Sequence, residues 1–173
     1  MLSALRKLIF RLSLKTPPRL SLNTNDLFKK YHRCETKKFS FGEKNNDKIF
    51  YVIKRTPGTG FFSNVLFVIN HLMVAKKNNY ISIVDMENFP TIYNEKNEIF
   101  KTKNSWEYYF ENLNETKLKK IYQSKNVIIT SNNFEKSFET DLISEEIKDT
   151  FRKSLKLKKK FKRIINLFAN KFF

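Results

Sequence analysis

Between Ile49 and Met86 the chain has few ways to fold. It reads IFYVIK, then RTPGTGFFSN, then VLFVINHLMVA, a polar turn KKNNY, and ISIVDM. The first run is apolar and rich in β-branched and aromatic residues, which predicts a strand over Ile49–Lys54. A helix follows from about Phe61 to Lys77. Its apolar residues Val65, Leu66, Val68, Ile69, Leu72, Met73 and Ala75 spread beyond one stripe, so the helix should be largely buried. ISIVDM predicts a second strand over Ile81–Met86, again almost continuously apolar. Continuous apolar strands joined by a buried helix mark a βαβ unit, in a parallel sheet covered on both faces. NVIITS, Asn126 to Ser131, supplies a third strand after a short helix in ETKLKKIYQSK. The expected fold class is α/β, a Rossmann-like half domain with a parallel sheet.

Three glycines serve the whole chain, and two of them, Gly58 and Gly60, fall in the turn between the first strand and the helix. Glycine allows positive φ and removes a Cβ that would obstruct a ligand. Helix-start N–H groups at the carboxyl ends of parallel strands favour phosphate or carboxylate. Arg55 adds charge, and the side chains of Thr59, Ser63 and Asn64 add hydrogen-bonding capacity. The motif is neither a complete G-x-G-x-x-G, since Ser63 stands where the last glycine would be, nor a P-loop. A tight turn with no ligand fits it equally well.

The net charge of +17 is confined to the ends. Residues 42–150 carry 15 Lys and Arg against 15 Asp and Glu, whereas residues 1–41 carry 10 against 2, and residues 151–173 carry 9 against none. A nucleic-acid-binding core should hold its charge in the folded body, so no nucleic-acid partner is expected. The division predicted is a basic segment over 1–41, a Rossmann-like domain over 42–150, and a basic amphipathic helix over 151–173. In the first segment, Leu2, Leu5, Leu8, Ile9 and Leu12 share a helical face, and Arg6, Lys7 and Arg11 lie elsewhere, before Pro17 and Pro18. That suits a membrane-surface helix, an organellar presequence or a helix packed on its own domain. In the last segment, Leu157, Phe161, Ile164, Ile165, Phe168 and Phe172 form a stripe opposite Lys159, Lys162 and Arg163, and it needs an apolar cover.

Cys34 stands alone, so no internal disulfide forms, and two histidines cannot make a histidine-rich metal site. His71, inside the buried helix, reads as a packed, hydrogen-bonded residue. Between Glu87 and Phe110 the sequence is rich in Asn, Pro and aromatics, which predicts a long ordered excursion on the sheet's rim. Trp106, Tyr108 and Tyr109 there, at such a density of aromatics, suit a core.

The run YVIKRTPGTGFFSNVLFVINHLMVAKKNNYISIVDMENFPTIYNE, with NSWEYYFE and SKNVIITS after it, resembles the N-terminal half of bacterial glycosyltransferases related to the α-1,6- and protein O-fucosyltransferases. The resemblance covers roughly Lys48 to Ser131. It implies a GT-B architecture, in which two Rossmann-like halves face a cleft. By it, Gly58, Thr59, Gly60, Phe61, Ser63 and Asn64 match the loop that approaches the nucleotide diphosphate. Asp85 and Asn88 match the acceptor-side rim, an aromatic wall for a sugar acceptor is the alternative to core for Trp106, Tyr108 and Tyr109, and no residue is assigned as catalytic base. The implied substrates are a sugar nucleotide, a GDP-sugar first, and a glycan acceptor, with no resident cofactor or metal.

In that family a second half supplies a His-x-Arg motif to the donor diphosphate. The only His-Arg pair here, His32 and Arg33, precedes the first strand, and the sequence ends at Phe173 before any such half. The expectation is therefore an acceptor-side half, truncated, split or completed by another chain, inactive alone. The competing expectations are a free-standing nucleotide-binding domain and a non-catalytic, membrane-peripheral binding protein held by its basic ends on an anionic surface. Either way the chain is expected in the cytoplasm, at or near the inner membrane face.

Overall fold

The computed structural model describes residues 35–133 and 145–172. The first-segment helix and the helix cap expected at Ser144 lie outside the described residues.

Four strands form one mixed sheet in the order β1-β4-β2-β3: β1 Lys37–Phe39, β2 Phe50–Ile53, β3 Ile81–Val84 and β4 Val127–Ile129. β2 runs parallel to both β3 and β4, with Phe50 opposite Ile81 on one side and Val127 on the other. An entirely parallel sheet was expected, but β1 pairs antiparallel with β4 at one edge. Its sequence, KKF, is three residues long with both lysines exposed, so it offers no hydrophobic run to read. Charged, short strands are what sheet edges tolerate. β1 precedes residue 42, so the sheet begins ahead of the expected domain boundary.

β2 is buried at all four positions and alternates between two cores. Tyr51 and Ile53 face Val65, Val68 and Leu72 of helix α1, Phe61–Lys77, together with Ile147 and Leu155. Phe50 and Val52 face the other way, onto Phe41, Phe89, Ile121 and Tyr122. Each such side chain contributes about 1.5–3 kcal/mol of hydrophobic stabilisation. The expected helix bounds of α1 are those observed. It stops where Lys76 and Lys77 complement the helix dipole and Asn79 takes a left-handed φ of 58°.

Helix α2, Trp106–Tyr109, lies within the excursion, and α3, Leu118–Ile121, precedes β4. The excursion is held by side-chain amides. Asn104 donates to the Val84 carbonyl at 2.8 Å and accepts from the Met86 N–H at 3.1 Å, while Asn114 donates to the Ser82 carbonyl. Asn94 bridges Met86, Thr91 and Lys103 in the same way. Trp106 is buried and stacked on Phe110, with ring centroids 4.3 Å apart, and Tyr108 is buried beside them. Helices α4, Glu145–Ser154, and α5, Lys159–Phe172, complete the described chain. No helix among the described residues is long and apolar enough to cross a membrane.

Candidate functional site

From β2 the chain crosses one face of the sheet through α1 to reach β3. From β3 it returns past α3 on the other face, to β4 on the far side of β2. The strand order therefore reverses between β2 and β4. In open α/β sheets, the crevice beyond the carboxyl ends of such a strand pair is where ligands bind. Here that crevice is bordered by residues 54–60 after β2 and 130–133 after β4.

The two borders are tied together by the protein itself. The Lys54 N–H donates to Thr130 Oγ1 at 3.1 Å, and Asn132 Nδ2 donates to the Thr56 carbonyl at 2.8 Å. Asn132 Oδ1 accepts from Lys54 Nζ at 3.3 Å, and the Arg55 guanidinium donates to the Asn132 carbonyl. Sequence reasoning missed Asn132 because nothing in SNN marks which asparagine bridges two loops.

The turn that follows contains a cis Thr56–Pro57 bond and Gly58 at φ 79°. A Cβ on Gly58 would lie 2.9 Å from Asn64 Nδ2, so both backbone and space require glycine. Asn64 is buried, accepting from the Thr59 N–H at 3.0 Å and donating to the Thr59 carbonyl at 3.3 Å. Its amide thus fixes the loop, and the expected side-chain bond from Asn64 to a ligand gives way to this structural role. Gly60 differs from Gly58. Its φ of −56° suits any residue, and a Cβ there would meet nothing within 4 Å. Glycine at 60 leaves open space outside the start of α1.

That start has the character of an anion cradle. Gly60 is the N-cap, no side chain caps the helix, and the first turn holds no acidic residue. The N–H groups of Phe61, Phe62 and Ser63 occupy the positions that lack intrahelical acceptors. Two cations stand between the end of β2 and the turn. Lys54 is buried, and half-buried Arg55 lies 4.5 Å from the Phe67 ring centroid, where desolvation lowers its pKa from the ordinary value.

His71 lies behind the loop, fully buried. Nε2 faces the Asn133 carbonyl at 3.1 Å and Nδ1 faces the Tyr51 hydroxyl at 2.9 Å. A carbonyl only accepts, so Nε2 carries the proton and Nδ1 accepts from Tyr51. Desolvation chiefly, and then the positive charges of Arg55 and Lys54, lower its pKa to about 4, against the carbonyl of Asn133. It is a neutral packing residue at the crevice's base.

Asp85 also turns inward. It is fully buried and accepts from Tyr122 Oη at 2.5 Å, from Asn88 Nδ2 at 2.9 Å, and from the N–H groups of Asn88 and Glu87 at 2.8 and 3.2 Å. Burial raises its pKa, opposed by those hydrogen bonds, and burial beside Asp85 raises Tyr122 well above the phenol range. The geometry closes a turn after β3. It encloses the Asp85 carboxylate and ties the Asn88 amide nitrogen to it, so Asp85 is not offered to an acceptor.

Among the described residues, no three His, Cys, Asp or Glu side chains gather as a metal set. An open pocket of about 400 Å³ lies away from this site, at the amino end of β3, with Lys76, Ser82, Asn114 and Lys153 on its walls. The described residues thus define an α/β domain with a mostly parallel sheet and an uncapped helix start at its switch point. Comparison with protein-family models, with curated proteins and with solved structures finds no match.

Proposed function

We propose that this chain carries the acceptor-side half of a glycosyltransferase with a GT-B arrangement, and that the turn after β2 receives the diphosphate of a sugar nucleotide, a GDP-sugar first. The observation that carries the reading is the uncapped, acid-free start of α1 at the strand-order reversal, with Lys54 and Arg55 leading into it. Backbone donors there stabilise an anionic diphosphate without reorganising, and the charge of half-buried Arg55 adds a positive field to the turn. The Gly58 turn aims the chain into the helix, and Gly60 leaves the approach open.

Transfer also needs charge stabilisation on the departing diphosphate and a base at the acceptor hydroxyl. Asp85 is enclosed, so this reading assigns no base within the domain. It places the second set of phosphate contacts on a donor-binding unit opposite the rim. Alone, the chain is expected to bind weakly and not to turn over.

The test is titration of GDP and of a GDP-sugar into isotope-labelled protein. Amide shifts centred on residues 58–64 are expected, and Gly60→Val should abolish them while the remaining spectrum stays folded, since a side chain fits at 60. Shifts elsewhere, or unchanged binding by Gly60→Val, would overturn the cradle. Turnover of a GDP-sugar by the isolated chain would overturn the half-site assignment.

A further inference from the structure

The beginning of α5 is pinned to the domain. The Lys158 N–H donates to the Tyr109 carbonyl at 2.8 Å, the Glu111 N–H donates to the Lys156 carbonyl at 2.8 Å, and Lys158 Nζ reaches the Glu107 carbonyl at 2.6 Å. Phe161 then sets its ring edge-on to Tyr109, with centroids 5.2 Å apart. Cover is not continuous along the stripe. Ile165, four residues after Phe161 on α5, is 43% exposed, and Leu157, bridged to Phe110 just ahead of the helix, is 41% exposed. Positions four apart share a helix face, so the domain covers α5 at Phe161 and leaves Ile165, one turn further on, open.

Along α5 itself the charge has one sign, with the Glu111 carboxylate at its start accepting from the Lys159 N–H at 3.3 Å. Lys159, Lys160, Lys162 and Arg163 are exposed, and from Phe151 to the end of the chain there are nine basic residues and no acidic one. We propose that the open face of α5 docks on an anionic lipid bilayer, with Ile165 entering the headgroup boundary and the flanking lysines meeting lipid phosphates and carboxylates. The choice of occupant follows from charge and polarity together. A second copy of the helix would bring two arrays of like charge together. A nucleic acid would satisfy the lysines and leave Ile165 and Leu157 in water. A bilayer of anionic lipid meets both requirements, the arrangement of an interfacial helix.

The same docking would set the orientation of the domain. Phe161 touches Tyr109, and Tyr109 packs against Phe61 with centroids 4.9 Å apart, at the first residue of α1. Phe62, beside it, is 77% exposed. The helix on the membrane is thus joined, ring to ring, to the rim of the candidate site. The proposal does not depend on the sugar-nucleotide reading, because it uses neither the glycine turn nor the cations that follow β2.

Co-sedimentation of the full chain with two kinds of vesicle tests it: phosphatidylcholine alone, and phosphatidylcholine with about a third phosphatidylserine. Binding is expected only to the second, falling as salt screens the headgroups. Ile165→Glu should weaken it by about tenfold or more through lost apolar burial and added repulsion, and the pair Lys159→Glu with Lys162→Glu should do likewise. Ile92→Glu, an exposed apolar position off this helix, should leave it unchanged. All four positions are exposed, so circular dichroism should match the parent in each case. Several results would overturn the proposal: equal binding to both vesicle types, no binding to either, indifference to Ile165→Glu or to salt, duplex DNA held as tightly as the anionic vesicles, or a dimer by light scattering that Ile165→Glu dissociates.

Discussion

His71 gives the chain a stability that acid should remove, by an amount the structure sets. The imidazole is fully buried and held neutral, and its pKa falls from 6.5 to about 4 on folding. A depressed folded pKa means that between those values the unfolded chain binds the proton and the folded chain does not. Stability from this group is therefore complete above pH 6.5 and lost as pH falls toward 4. At about 1.4 kcal/mol per pH unit, the loss amounts to about 3 kcal/mol. Asp85 and Glu87 work in the opposite sense, because burial raises both carboxyls and a raised group favours the folded state as pH falls. The His71 contribution must thus be isolated by difference. Urea unfolding of the parent and of His71→Gln, run across this range, should show the parent losing about 3 kcal/mol more than the variant. Glutamine has no charge to gain and can still donate toward Asn133. Parallel pH profiles for the two proteins, or a His71 ring resonance that titrates near 6.5, would refute the assignment of a neutral, Nε2-protonated ring.

Gly58→Ala forces a Cβ onto Asn64 at a positive φ and should cost at least about 1 kcal/mol, while Gly60→Ala should change urea stability by less than about 0.5 kcal/mol. Asp85→Ala orphans four donors around a sealed site and should cost about 3 kcal/mol or more, with Tyr122→Phe milder at about 1–3 kcal/mol; denaturant midpoints check both. Phe161→Ala should release the start of α5, seen as faster amide exchange over residues 159–163 with exchange in α1 unchanged.

What the sequence made legible was whatever depends on local pattern. The run Val65 to Ala75 is apolar on more than one face, and α1 is buried accordingly, with both ends where the glycine turn and the Lys-Lys-Asn-Asn stop put them. Strands β2, β3 and β4 fall inside the apolar runs that predicted them, each trimmed where its neighbour in the sheet ends. The position of β4 beyond β2 was not legible, because pairing order is decided by which faces the crossovers cover. β1 was hidden by its own chemistry, since a three-residue edge with two exposed lysines looks like any polar linker. In the site, glycine spacing flagged the turn correctly, but could not tell the residue that needs a left-handed φ, Gly58, from the one that needs only room, Gly60. Nor could it distinguish an Asp85 offered to an acceptor from one enclosed by Tyr122 and Asn88, a contact spanning 37 residues.

The amide caps along β3 limit how this domain can grow. An edge strand normally displays a row of unsatisfied carbonyls that recruits another strand. Along β3, the Ser82 and Val84 carbonyls are already occupied by Asn114 and Asn104 from the same chain. On that side, among the described residues, side chains take up carbonyls that a further strand would use, so a neighbour arriving as an extended segment finds fewer free acceptors there. Asparagine at 104 and 114 therefore acts as a guard against runaway strand addition, and replacing either with leucine would turn a quiet margin into an adhesive one. A second module is then served better by side-chain surfaces such as the carboxyl-end rim than by continuing the hydrogen-bond ladder past β3.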